Sequence, residues 1–229
     1  MSRTRREFLR LAEAGAASSF LAGCQSGGKK ETAGSFDRLK TLRLDEKTLV
    51  LFSSDNMPHK EGGADPAFFD SSGDLRGCKR GRYEGGIRVP LIARWPQWIA
   101  TGSGSNHVCA FWDFLRTCCE LAGVPAPQGI DGLSFLPTLL GRPGEQQEHP
   151  YLYWEFHEQG KKQAVRMGDW KGVRLNAAKD PNGSIELYNL ADDVSEEHNV
   201  AAQHPEIIRQ IAAIMTSART PSEHWPLFG

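Results

Sequence analysis

The sequence predicts an α/β fold followed by a small α+β unit with an antiparallel sheet and a terminal helix. Three observations predict it. Two apolar, β-favouring runs, TLVLFSS at 48–54 and IRVPLIARW at 87–95, flank a long Gly-rich segment and precede a helical stretch. The second run is apolar enough to lie buried on both faces, as parallel-sheet strands do. Beyond GRPGEQQEHP, which ends at Pro150, the texture changes to short runs separated by Gly and Asn turns, and then to one last amphipathic helix.

Each element has its own signal. QSGGKKETAGS at 25–35 is polar and rich in small residues, which reads as a flexible linker, and a short helix is expected at 36–43. The stretch from Glu61 to Gly86 fits neither the helical nor the strand period; loops this long inside compact domains are functional or disordered. Residues 109–122 space Phe111, Phe114, Leu115, Cys118, Leu121 and Ala122 by three and four, so one helix face is expected to seek a core. YLYWEFHEQ, QAVRMGDWKGVRLN and IELYNL supply three or four strands. Helix 205–218 carries Ile207, Ile208, Ile211, Ile214 and Met215 along one stripe, able to cover a face of that sheet. The expected organisation is thus a signal at 1–24, a linker at 25–35, a partial α/β domain at 36–141 and an α+β subdomain at 142–229.

Paired arginines in TRREFLR, an Ala-rich apolar stretch and LAGC ending at Cys24 mark an export signal. Thr4, Arg5, Arg6, Phe8 and Leu9 resemble the twin-arginine motif, and Leu21 to Cys24 resemble a lipobox, which implies lipidation at Cys24. The protein would then be exported, a periplasmic or cell-envelope lipoprotein held to a membrane by its lipid alone. The alternative is an amphipathic first helix with an ordinary cysteine, and Glu13 within the apolar stretch favours it. Cys109, Cys118 and Cys119 have neither zinc-site nor disulfide-scaffold spacing and are read as buried small apolar residues. A formal net charge of −1 over 229 residues provides no global footprint for nucleic acid.

The first strand ends on Asp55 and Asn56. In open α/β sheets ligands collect at the carboxyl ends of strands. A carboxylate and an amide carbonyl are hard oxygens suited to Ca²⁺ or Mg²⁺. Taken alone, the pair reads first as a strand end opening a turn.

A series of motifs extends that reading. SSDNMPH at 53–59, LRGCKRGRYEGGIRVPLIARWP at 75–96, FWDFLRTCCELAGVP at 111–125 and DGLSFLPTLLG at 131–141 together resemble the C-terminal half of sulfatases of the alkaline-phosphatase-like superfamily. WKGVRL and IELYNLADDVSEEHNVA resemble that family's small C-terminal domain. The resemblance covers about 36–229 and implies an incomplete sulfatase-like sheet, a lineage of sulfuric ester hydrolases (arylsulfatase-like), and sulfated sugars or aryl sulfates as substrates. It implies that Asp55 and Asn56 are ligands of a divalent cation, commonly Ca²⁺, and that Lys79 contacts the substrate sulfate, with His59 close enough to touch the ester. A point charge on a flexible stem suits an oxyanion that must be bound and released. Arg76, Arg80 and Arg82 are read as a solvated loop adding field around it.

Two departures matter. Met57 stands where the family has glycine after Asp-Asn. More consequentially, no Cys or Ser here begins the C-x-P-S-R or S-x-P-S-R motif from which the family's formylglycine nucleophile is made. The chain therefore reads as an export signal joined to a C-terminal half, inactive by itself and binding Ca²⁺ weakly. Its partners would be a sulfate ester or sulfated glycan and a complementing N-terminal half. A lipid-anchored anion- or glycan-binding module and one half of a split enzyme are the alternatives.

Overall fold

The computed structural model describes residues 28–227. The expected signal and Cys24 lie outside the described residues. Two compact units are formed, one from the described residues up to Phe52 with Leu91–Glu148, the other from Ser53–Pro90 with 149 onward. Ser53–Pro90, which the sequence suggested would go with the α/β part, therefore clusters with the C-terminal sheet.

In the first unit, helix α1 (Gly28–Thr41) begins inside the stretch expected to be a flexible linker. Strands β1 (Val50–Ser53) and β2 (Leu91–Arg94) form a two-stranded sheet. Arg94 ties it locally, donating to both oxygens of Asp45 at 2.8 Å with its guanidinium 4.9 Å from the Phe36 ring. The second strand was expected buried on both faces; instead Ile92 is 56% exposed, as is Phe52 at 52%, because two strands of four residues leave nothing to cover them.

Helix α3 (Asp113–Ala122) corrects another expectation. Its buried positions are Asp113 and Thr117, while Phe111, Leu115 and Leu121 of the predicted core face are exposed. The polar pair is buried because it binds backbone. Asp113 accepts the Ala110 and Leu133 N–H groups at 2.7 and 2.9 Å, and Thr117 Oγ1 accepts that of Phe135 at 3.0 Å. A short helix, α4 (Leu136–Leu139), follows. Cys118 is exposed rather than buried, and Cys109 and Cys119 are half-buried, so only part of the expected cysteine burial is seen. Burial pushes the Cys109 thiol up to about 11, the behaviour of an inert thiol.

The second unit holds an antiparallel meander, β3 (Leu152–Phe156), β4 (Lys162–Met167), β5 (Trp170–Arg174) and β6 (Glu186–Asn189), in that spatial order. Gly168, at φ +58°, opens the two-residue connection between β4 and β5. Helix α5 (Pro205–Ser217) lays Ile211 and Met215 on Val165 and Leu187, as its stripe predicted. Gly172 faces this helix, and a Cβ there would lie 2.6 Å from Ile211 Cγ2. Because Ile211 is 0% exposed, Ile211→Ala is expected to cost about 2–5 kcal/mol, read as a lower midpoint in urea unfolding.

The other face of the sheet is charged. Arg166, Lys171 and Tyr188 stand side by side across β4, β5 and β6. Like charges directly opposite one another are unfavourable unless an anion joins them. Glu84 supplies that anion from the one-turn helix α2 (Glu84–Ile87), whose last residue, Ile87, is the first of the run expected to be strand.

Candidate functional site

The site is built on the segment between Ser53 and Pro90. Ser53 Oγ donates to Pro90 O at 2.8 Å, and Ser54 Oγ to Asn56 O at 2.7 Å. Asp55 is exposed and Asn56 half-buried, with Asn56 Nδ2 donating to Asp55 Oδ2 at 2.6 Å. Met57 is buried and fills space where the family's glycine would not. The Lys79 N–H donates to Pro58 O at 2.8 Å, so the loop bearing Lys79 is hydrogen-bonded within three residues of the Asp-Asn pair.

Lys79 and Arg80 occupy the middle of a tight turn closed by the Gly81 N–H on Cys78 O at 2.8 Å. Arg80 sits at φ +71°, a conformation that glycine adopts more readily. A cavity of about 250 Å³ opens here, lined by His59, Lys60, Glu61, Cys78, Lys79, Arg80 and Gln159. Lys79 and His59 thus share one cavity, while Asp55 and Asn56 do not line it. His59 Nδ1 accepts the Glu61 N–H at 3.1 Å, which leaves the neutral ring its proton on Nε2, free to donate to an anion. Glu61 carries the charge that balances the cavity: it pairs with Arg80 and stands 3.8 Å from Lys79 Nζ. From the first residue of β4, Lys162 Nζ donates to Gln159 Oε1 of the β3–β4 turn at 3.0 Å and to Arg80 O at 3.2 Å.

Both ends of the Lys79 loop are stapled to the charged face of the sheet. At one end Arg76 Nη1 donates to Tyr188 Oη at 2.9 Å and to Glu196 O at 2.7 Å, with its guanidinium 3.9 Å from the Tyr83 ring centre. Arg76 is therefore a tether rather than part of a solvated loop. Arg82 is likewise held, over the Phe156 ring at 4.6 Å, and burial lowers it to about 10.

At the other end Lys171 Nζ donates to Glu84 Oε1 at 2.7 Å, and Arg166 and Arg88 approach Glu84 Oε2 at 3.4 and 3.7 Å. Burial works to raise the Glu84 carboxyl, but Lys171, Arg166 and Arg88 outweigh it and hold it below the usual carboxylate range. Gly85 and Gly86 complete the close approach, since a Cβ on either would lie 2.5–2.6 Å from the Arg76 or Gly81 carbonyl oxygen. Sequence reasoning missed Glu61, Gln159, Glu84, Lys171 and Glu196. The EGG triplet carried the one usable signal, adjacent glycines behind a carboxylate.

A family model described as N-sulphoglucosamine sulphohydrolase, C-terminal, matches residues 77–220. The chain belongs to the sulfatase family. N-acetylgalactosamine-6-O-sulfatase of Bacteroides thetaiotaomicron is 28% identical over 202 residues, 80% of this sulfatase-family chain and 38% of that protein. Human arylsulfatase A is 32% identical over 197 residues, 74% of this chain and 37% of that one. A solved Bacteroides thetaiotaomicron structure, from a core locus for metabolism of multiple glycosaminoglycans, matches with a TM-score of 0.67 at 28% identity, covering 83% of this chain and 42% of that one. The chain therefore spans about two fifths of the length of these relatives. Family and mixed α/β class agree with the sequence reading.

The calcium that the family generally uses can be tested against the residues present. Ca²⁺ takes six to eight oxygens. Asp55 and Asn56 bring two or three, one of them already capped by the Asn56 amide. Among the described residues no group of three or more His, Cys, Asp or Glu is arranged to hold a metal. The donor set of the described residues does not by itself fit the ion.

Proposed function

We propose that this chain carries the sulfate-facing part of a sulfuric ester hydrolase and is inactive by itself. One observation supports the reading above the others. Lys79, Arg80 and the His59 Nε2 donor line one cavity, and the turn that carries Lys79 and Arg80 is tied to the sheet from both ends. A tetrahedral oxyanion there would take up the cationic groups that Glu61 now balances. By similarity to the relatives, the anion belongs to a sulfated sugar or an aryl sulfate. Asp55 and Asn56 would give their oxygens to a calcium ion completed from outside this chain. Export, with lipid on Cys24, places the protein in the cell envelope.

Completion by another polypeptide segment is favoured over a free-standing glycan-binding module by one feature of the first unit. Phe52, Ile92, Phe111 and Leu115 are each 50–56% exposed, apolar side chains that a further segment would take out of water. The site reading is tested by titrating inorganic sulfate and a sulfated disaccharide into the full chain by calorimetry. Lys79→Ala is expected to weaken binding by about tenfold or more, the worth of a charge-assisted hydrogen bond. Affinity unchanged by that substitution would remove Lys79 from the site and the reading with it.

A further inference from the structure

The charged face of the sheet buries two carboxyls around one ammonium. Glu84, Glu196 and Lys171 are 1%, 0% and 0% exposed. Lys171 Nζ lies 2.7 Å from Glu84 Oε1 and 3.9 Å from Glu196 Oε1. Glu196 Oε2 accepts the Glu84 N–H at 2.6 Å, whereas its Oε1 is buried with no hydrogen-bond partner. Glu196 also holds φ at +53°, so its backbone is constrained for this placement.

The surrounding groups are already committed. Arg166 from β4 and Arg88 after α2 face Glu84, and Trp154 from β3 lies over Lys171 at 5.6 Å. Arg76 binds the Glu196 carbonyl oxygen and Tyr188, and Tyr188 and Tyr83 both donate to Glu186. Within its own segment, the Asp193 carboxylate accepts the Glu197 and His198 N–H groups. None of these neighbours hydrogen-bonds Glu196 Oε1.

We propose that Glu196 is a proton-operated latch on the 76–86 segment, a positioning residue for the turn that carries Lys79. Neutral, with its proton on Oε1, it accepts the Glu84 N–H and leaves Lys171 wholly to Glu84. Ionised, it draws on the same ammonium, two buried carboxylates then face one lysine, and opening of the segment to water relieves them. The proton leaves to solvent when the segment opens. Any effect on anion binding rests on the proposed role of Lys79; the latch itself does not.

The direction follows from linkage. Burial pushes the Glu196 carboxyl up to about 7; the Glu84 charge adds to this, and Lys171, the Glu84 N–H and Arg76 oppose it. Its contribution to closure is complete below the ordinary value of 4.5 and is lost as pH rises through about 7. Opening is therefore expected to become roughly tenfold easier between pH 6 and pH 8.

Amide hydrogen exchange on the full chain, corrected for intrinsic rates, reads this at Lys79, Glu84 and Gly85. Protection there is expected to fall roughly tenfold from pH 6 to pH 8, while Val165 in the meander does not follow. Glu196→Gln is expected to abolish the fall. Equal protection at both pH values, or a fall retained in the variant, overturns the latch. Should the variant fail to fold, the ¹³C carboxyl titration of Glu196 in the unaltered chain decides: a midpoint near neutrality supports the latch and one near 4.5 overturns it. Sulfate titration at fixed pH separates the two proposals. Loss of the sulfate effect of Lys79→Ala with the exchange pattern intact sinks only the site reading, and the reverse sinks only the latch.

Discussion

Purified chain, supplied with Ca²⁺ and an aryl sulfate, is expected to release sulfate no faster than buffer does. Enzymes commonly exceed the uncatalysed reaction by about 10⁶-fold or more, and in this family that acceleration depends on a covalent nucleophile. No Cys or Ser of the chain stands in the motif from which that nucleophile is made. Lys79, Arg80 and His59 line the cavity proposed for the sulfate ester, and Cys78, which lines it with them, is followed by Lys-Arg-Gly and does not begin that motif. Ion chromatography of released sulfate over many turnovers checks this. Sustained release, abolished by substituting one residue of this chain, would mean that a nucleophile has been overlooked.

Lys171→Met should destabilise the protein by about 3–5 kcal/mol, the usual cost of breaking a buried ion pair by removing one partner. Methionine matches the length of the lysine stem and adds no steric conflict. It leaves Glu84 and Glu196, both essentially without solvent, facing each other across the site of the lost ammonium. The loss should shrink in acid. Glu84 is held below its ordinary value of 4.5, so its contribution is present above that value and disappears as pH falls through its lowered folded one. Urea unfolding at pH 7 and pH 4 measures both effects. Similar stability of variant and parent at pH 7 would mean that the charged face does not anchor the 76–86 segment.

The stripe of α5 was legible because apolar residues at three- and four-residue spacing can be satisfied by one nearby surface, here Val165 and Leu187 of the meander. The same pattern in α3 misled. Its apolar face stays exposed except for Phe114, which packs edge-on against Phe135, and Asp113 and Thr117 are buried because backbone N–H groups of Ala110, Leu133 and Phe135 end on them. Spacing indicates that a face is amphipathic, not that a covering surface lies within the same chain. At the site, Lys79 and His59 were recognisable from their motifs and do share a cavity. Glu61, the counter-charge within it, looked like any loop glutamate.

Lys171 shows the limit most clearly. A lysine in a short strand reads as solvent-facing, yet it is 0% exposed and bonded to a carboxylate 87 positions away. The sequence by itself determined the family, the missing nucleophile motif, the C-terminal meander with its covering helix, and His59 and Lys79 as two residues of the candidate site. Only the tertiary structure decided that the Lys79 loop is held by the C-terminal sheet and that Glu196 is buried without a partner for one oxygen. Periodicity and motif spacing report on neighbours along the chain, whereas the energy of a buried charge depends on distances through space.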